Sequence, residues 1–223
     1  MTAAQATGVY DELVEKNARY LWNPFTQMKE FLGEEPLVVA RAKGVRLYDV
    51  EGREYLDGNS SLWLNVHGHG REELNEAIAD QLEKVAHSTL LGLSNVPAIE
   101  LAERLVRLAP DSLGKVFFSD SGATAVEIAL KMAFAYWRRI GRPEKRVFLT
   151  MRNAYHGDTI GAVSVGGIDV FHAEFGPLLF PTERVSYPYP YRFDGSPEEC
   201  AASCLAELEE RLAADGDSRP AAR

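Results

Sequence analysis

The sequence predicts an α/β protein, with a mostly parallel sheet flanked by helices on both faces and a small antiparallel β meander ahead of it. Three observations lead there. In the second half, short apolar β-type runs alternate with long stretches of helical period, the pattern of βαβ units. The run Val116-Phe117-Phe118 passes through a polar turn, Ser119-Asp120-Ser121-Gly122, straight into a helix-forming run from Ala123 to Trp137. Residues 37–57 form short alternating runs broken at Lys43-Gly44 and Glu51-Gly52, which are turn signals.

The elements follow in order. Residues 1–20 read as a helix. Tyr20 to Met28 is aromatic, contains Pro24 and is expected to be irregular, its rings packing on the body or bordering a pocket. After the meander, Gly58 to Gly70 is a connection rich in glycine and polar residues. Leu74, Ile78, Leu82 and Val85 then form one helical stripe. Leu101, Leu105 and Leu108 form another, with Pro97 near its start and Pro110 after its end. Lys115–Ser119 is expected as a strand, 122–139 as a helix stopped at Gly141-Arg142-Pro143, Arg146–Thr150 as a strand and Gly161–Val165 as a third strand. Residues 171–195 read as an aromatic, proline-rich loop. Ser196, Pro197 and Glu199 mark a capping box opening a last helix with the stripe Leu205, Leu208, Leu212, and 213–223 reads as disordered. No internal repeat is present.

Bulk properties narrow the function. With 223 residues, 46% hydrophobic and 26% charged, the chain can bury a core. A net charge of −9 argues against nucleic acid as a partner. No apolar run of about 18 residues points to a membrane span, and the first residues lack the features of a secretory signal, so a cytoplasmic location is expected. Cys200 and Cys204 share a helical face and read as buried apolar residues, without neighbours to complete a metal site. His67 and His69 lie two apart with no matching ligand set and read as loop residues.

Chemistry centres on the turn at Ser121. The first N–H groups of a helix have no intrahelical acceptor, and its dipole favours an anion there. The turn Ser119–Ala123 is therefore a candidate anion seat of the kind that holds a phosphate in α/β proteins. One βα unit later comes Asn153-Ala-Tyr-His-Gly-Asp-Thr159, with Arg152 and Asn153 expected to fix that loop and Asp158 and Thr159 expected to be structural.

Residues 116–165 resemble the cofactor region of the subgroup III aminotransferases, which use pyridoxal 5'-phosphate. With Leu21-Trp-Asn-Pro-Phe-Thr-Gln-Met28 and Asp57-Gly-Asn-Ser-Ser-Leu-Trp-Leu-Asn-Val-His-Gly68, the resemblance runs from about residue 18 to 212. It is nearest the branch that aminates 8-amino-7-oxononanoate to 7,8-diaminononanoate in biotin biosynthesis. It implies a fold-type I transferase, in which residues 1–66 belong to the small domain and substrate gate and 67–223 to a truncated cofactor-binding large domain. Gly122 and Ala123 would hold the phosphate through backbone N–H groups, with Ser121 capping the helix. Tyr155 would stack on the pyridine ring and touch substrate, and His156 would lie at the ring edge. Phe25, Leu62 and Trp63 would border the substrate pocket. One branch of the family has Tyr at the position of Phe25 and Trp at that of Leu62, so S-adenosylmethionine and lysine both stand as amino donors. A homodimer is implied.

The family also needs a Schiff-base lysine, a carboxylate for the pyridinium nitrogen and an arginine for the substrate carboxylate. The last lysine of this chain is Lys145. The chain is therefore expected to be the N-terminal part of an enzyme, without a catalytic residue and inactive alone. The alternatives are another ω-amino-acid, ornithine or γ-aminobutyrate transaminase or aminomutase of the family, or a non-catalytic fragment.

Overall fold

The computed structural model describes residues 3–214, which divide between Ile99 and Glu100 into two compact units. The expected first helix is present as α1, Ala3–Tyr20, and is followed by the short α2, Met28–Phe31. The meander forms as expected. β1 (Val39–Lys43), β2 (Arg46–Asp49) and β3 (Glu54–Leu56) pair antiparallel in that order, with Gly44 and Gly52 at positive φ in the two turns. Asp49 closes the second turn. Its buried carboxylate accepts from the backbone N–H groups of Glu51 (3.0 Å) and Arg53 (2.8 Å), from Arg53 Nε (2.6 Å) and from the Tyr55 hydroxyl (2.9 Å). Burial would raise its pKa, but the bonds from Arg53 and Tyr55 outweigh that and lower it to about 2.

The expected connection 58–70 contains α3, Ser60–Trp63, a turn with every residue at positive φ. Two helices follow, α4 (Glu72–Lys84) and α5 (Val96–Leu108). Their apolar stripes, Leu74, Ile78 and Leu82 on α4 and Leu101, Leu105 and Leu108 on α5, stay open, with Ile78 60% and Leu108 85% exposed, while Val85, expected in the first stripe, is the extended residue that ends α4.

The second unit is built on α6, Gly122–Arg139. Val126, Leu130, Ala133 and Trp137 recur at helical spacing and pack on Phe148 and Val165. Phe148 opens β4 (Phe148–Met151), which pairs in parallel with β5 (Thr182–Val185). Between them run α7 (Ile160–Ser164), α8 (Asp169–His172) and a 3₁₀ turn, Ala173–Leu178. Last is α9, Pro197–Ala214, with the expected capping box: Ser196 N–H donates to Glu199 Oε2 (2.7 Å) and Glu199 N–H to Ser196 Oγ (3.1 Å). α9 meets the end of β5, where Ser186 N–H donates to Glu207 Oε2 at 2.9 Å. Of the expected disordered tail, residues 215–223 lie outside the described residues and α9 runs through Ala214. Cys200 is buried and Cys204 half-buried on α9.

Three expectations are corrected. Lys115–Ser119 is not a strand: residues 113–119 run without a ladder and Phe117 is 64% exposed, because no described strand lies beside them to accept their hydrogen bonds. Gly161–Val165 is helical rather than extended. All five residues are buried, and a short run buried on every side carries no periodicity to separate strand from helix. The second parallel strand is instead β5, inside the segment read as loop, where Thr-Glu-Arg-Val gives little hydrophobic signal.

Candidate functional site

Ser121 turns the chain into α6. Its Oγ accepts from Thr124 N–H (3.2 Å), and its own N–H donates to Thr124 Oγ1 (3.1 Å). The Thr124 hydroxyl donates to Asp120 Oδ1 (2.6 Å), and this bond holds the Asp120 carboxyl below its ordinary pKa. Ser119 Oγ donates to the Ser121 carbonyl at 3.1 Å. With these bonds made, the N–H groups of Gly122 and Ala123 have no acceptor among the described residues. Space above Gly122 is open: a Cβ added there would meet nothing within 4 Å. Two unspent donors at the start of an 18-residue helix, the first of them at a residue with open space beside it, fit a phosphate.

The Tyr155 loop lies on this helix end. Gly157, at φ +115, fits so closely that a Cβ would fall 2.8 Å from Ala123 Cα and 3.3 Å from Ala123 N. The two sequence motifs, Ser121–Ala123 and Tyr155–His156, are thereby brought together. Tyr155 is 53% exposed, so its ring is open to a ligand, and its hydroxyl donates to Asp158 Oδ2 at 2.6 Å. That hydrogen bond, with a smaller contribution from burial, raises the phenol pKa. Asp158 Oδ1 in turn lies 4.0 Å from Nε2 of the buried His172.

Both ends of the loop are fastened. Asn153 N–H donates to Gly167 O (3.2 Å), Gly167 N–H donates back to Ala154 O (2.9 Å), and Arg152 N–H donates to Val185 O (2.9 Å) at the end of β5. Arg152 and Asn153 thus fix the loop as their position suggested. At the other end Gly161 N–H donates to Glu127 Oε1 on α6 at 2.7 Å. Thr159 occupies the cap position of α7 without making a side-chain cap bond. Sequence reasoning missed Glu127 and His172. The available signal for Glu127 was that it is the single acid in α6.

The remaining site residues, Phe25, Leu62 and Trp63, lie in the first unit, 80%, 63% and 75% exposed. Their backbones share a property with Asn153. Among the described residues the non-glycine positions at positive φ are Phe25, Ser60, Ser61, Leu62, Trp63 and Asn153, every one inside a motif singled out from sequence. A left-handed residue costs roughly 1–2 kcal/mol, and such outliers gather where geometry serves a ligand. The α3 turn is held by Asp57, whose carboxylate accepts from Ser61 N–H (2.7 Å) and Ser61 Oγ (2.8 Å) and lies 2.7 Å from His69 Nε2. His69 is therefore a loop-fixing residue. Among the described residues no His, Cys, Asp or Glu cluster is placed to hold a metal, and no helix is long and apolar enough to cross a membrane.

Comparison with known proteins shows the family of the chain. The family described as aminotransferase class-III matches residues 31–219. An adenosylmethionine-8-amino-7-oxononanoate aminotransferase from Geobacter sulfurreducens is 54% identical over 194 residues, covering 86% of this chain and 43% of that protein. The crystal structure of the Methanocaldococcus jannaschii protein of the same name is similar with a TM-score of 0.84 at 42% identity, covering 94% of this chain and 45% of that one. An amine transaminase from an uncultivated Pseudomonas species, in its PLP-bound form, is similar with a TM-score of 0.83 at 37% identity, covering 91% of this chain and 47% of that one. The chain spans a little under half the length of these relatives.

Proposed function

We propose, from the premise that this chain belongs to the class-III aminotransferase family, that it is the N-terminal part of an enzyme of biotin biosynthesis. That enzyme transfers an amino group to 8-amino-7-oxononanoate to give 7,8-diaminononanoate. Its cofactor is pyridoxal 5'-phosphate and its donor S-adenosylmethionine or lysine. The observation supporting this reading is the seat of Gly157, the residue after Tyr155-His156, on Ala123 in the first turn of α6.

When bound, the cofactor supplies an electron sink for a carbanion next to nitrogen. The residues of this chain bind and orient. Gly122 and Ala123 offer N–H donors to the phosphate, and Ser121 spends its own hydroxyl on the cap, leaving those two donors without an acceptor among the described residues. The ring of Tyr155 gives a flat face for stacking and His156 borders it. Phe25, Leu62 and Trp63 supply apolar surface to a substrate, and residues 1–66 serve as part of the small domain and substrate gate, ahead of a cofactor-binding domain from residue 67. Lys145, the last lysine, is 7% exposed with its ammonium 4.9 Å from the Trp137 ring centroid, so it is engaged as a structural cation. In this reading the Schiff-base lysine, the pyridinium carboxylate and the substrate-binding arginine come from the part of such an enzyme that this chain does not span, and this chain alone is inactive. The full protein is a cytoplasmic homodimer.

A second reading, another ω-amino-acid, ornithine or γ-aminobutyrate transaminase or aminomutase, draws support from the TM-score to the amine transaminase, 0.83 against 0.84. Equilibrium titration of the purified chain with pyridoxal 5'-phosphate and with pyridoxal tests the cofactor seat. Phosphate-dependent binding without a borohydride-reducible, stoichiometric lysine adduct is expected. Equal affinity for both compounds, or turnover by the chain alone, would overturn the reading.

A further inference from the structure

We propose that Glu127 is a positioning residue: from α6 its carboxylate caps α7 and thereby fixes the Tyr155–Thr159 loop over the donor end of α6. The proposal rests on the reading of Ser121–Ala123 and Tyr155 as a cofactor seat.

The first N–H groups of α7 need acceptors from outside the helix. Its cap residue supplies none: Thr159 makes no side-chain cap bond, and its buried hydroxyl has no partner among the described residues. The acceptor comes instead from 34 residues away, Glu127 Oε1 on the Gly161 N–H at 2.7 Å. Gly161 is shaped for it, since a Cβ there would lie 2.6 Å from Glu127 Cδ. A half-buried carboxylate in an apolar stretch is costly unless a donor meets it.

The second fastening is Gly157 on Ala123. The two contacts share one spacing: residues 123 and 127 on the helix, 157 and 161 on the loop. Four residues of helix rise about 6 Å, roughly one turn. The loop is clasped to α6 at two points a turn apart, with Asp158 between them and Tyr155-His156 extending past the first. Releasing the Glu127 point leaves the loop clasped to α6 at Gly157 alone, with its start still fastened to Gly167 and Val185, while the α6 donors themselves are untouched.

Hydrogen–deuterium exchange and pyridoxal 5'-phosphate titration of the full chain test this with Glu127→Ala, Glu127→Gln and Gly161→Ala. Gln keeps a carbonyl acceptor, whereas Gly161→Ala displaces the carboxylate without changing charge. The expected signature for Glu127→Ala is exchange over 157–163 faster by about tenfold, unchanged exchange in β1–β3, and a cofactor Kd raised by about tenfold. Glu127→Gln should recover most of both, and Gly161→Ala should reproduce the Glu127→Ala pattern. If Glu127→Ala does not fold, Gly161→Ala against Glu127→Gln decides. Wild-type exchange in Gly161→Ala, Gln no better than Ala, or a loosened loop with undiminished cofactor affinity would each overturn the proposal. A wild-type chain that binds no cofactor would end the cofactor reading, while the exchange comparison would still decide whether Glu127 holds the loop.

Discussion

His69 Nε2 lies 2.7 Å from Asp57 Oδ2, and this pair anchors the left-handed turn that carries Leu62 and Trp63. The hydrogen bond to His69, and then those from Ser61, hold the Asp57 carboxyl below its ordinary pKa. A carboxyl with a depressed folded-state pKa contributes stability that is present above the unfolded value near 4 and lost as pH falls through the folded value. The indole resonance of Trp63 should therefore stay constant down to about pH 4 and move below it. In Asp57→Asn it should be displaced already at neutral pH. Coincident spectra for the two chains at pH 7 would contradict the anchoring role.

Gly122→Pro separates fold from binding. Proline is accepted at the first helical position and Ser121, at φ −154 and ψ 167, has the extended backbone that precedes proline. The substitution removes one of the two donors and leaves α6 intact. Far-ultraviolet circular dichroism should be unchanged, while affinity for pyridoxal 5'-phosphate falls about tenfold and affinity for pyridoxal does not. Equal losses for both ligands would place the phosphate elsewhere.

Gly157→Ala should act differently from Gly122→Ala. Gly157 combines φ +115 with contact against Ala123, so alanine there meets both backbone strain and a clash, costing more than about 1 kcal/mol in urea unfolding. Gly122 stands in open space at a helix start, and alanine should be neutral to stability within about 0.5 kcal/mol. Equal unfolding midpoints would show that the loop does not rest on α6.

Much of this arrangement was legible because its signals are local. Turn glycines gave the meander, Ser196 with Glu199 gave the last helix, and the Ser121 turn gave the start of α6. The errors came where a neighbour decides. Val116-Phe117-Phe118 has strand composition but no ladder partner, and Gly161–Val165 is buried on every side, which erases periodicity. Glu127 escaped notice because a side chain capping a helix 34 residues away leaves no mark in local spacing.

Asp158→Asn should lower the Tyr155 phenol pKa. The wild-type phenol is raised first by its hydrogen bond to Asp158, which stabilises the protonated form, and then by burial. Carbon-13 NMR of labelled tyrosine, with Tyr155 assigned by Tyr155→Phe, should show that resonance titrating at lower pH in Asp158→Asn. An unmoved midpoint would mean the bond is absent in solution.

Among the described residues the six left-handed non-glycine positions divide unevenly, five before residue 100 and one after it. Under the proposed reading, Phe25, Leu62 and Trp63, three of the four residues that would meet substrate, belong to the first unit, and Tyr155 and the residues that would meet the cofactor phosphate belong to the second. Mutational drift can therefore reshape substrate choice through Phe25, Leu62 or Trp63 while the phosphate donors, being backbone atoms, stay beyond the reach of most single-residue changes. Descendants of one such ancestor would diverge in the amines they accept long before they diverged in the cofactor they use.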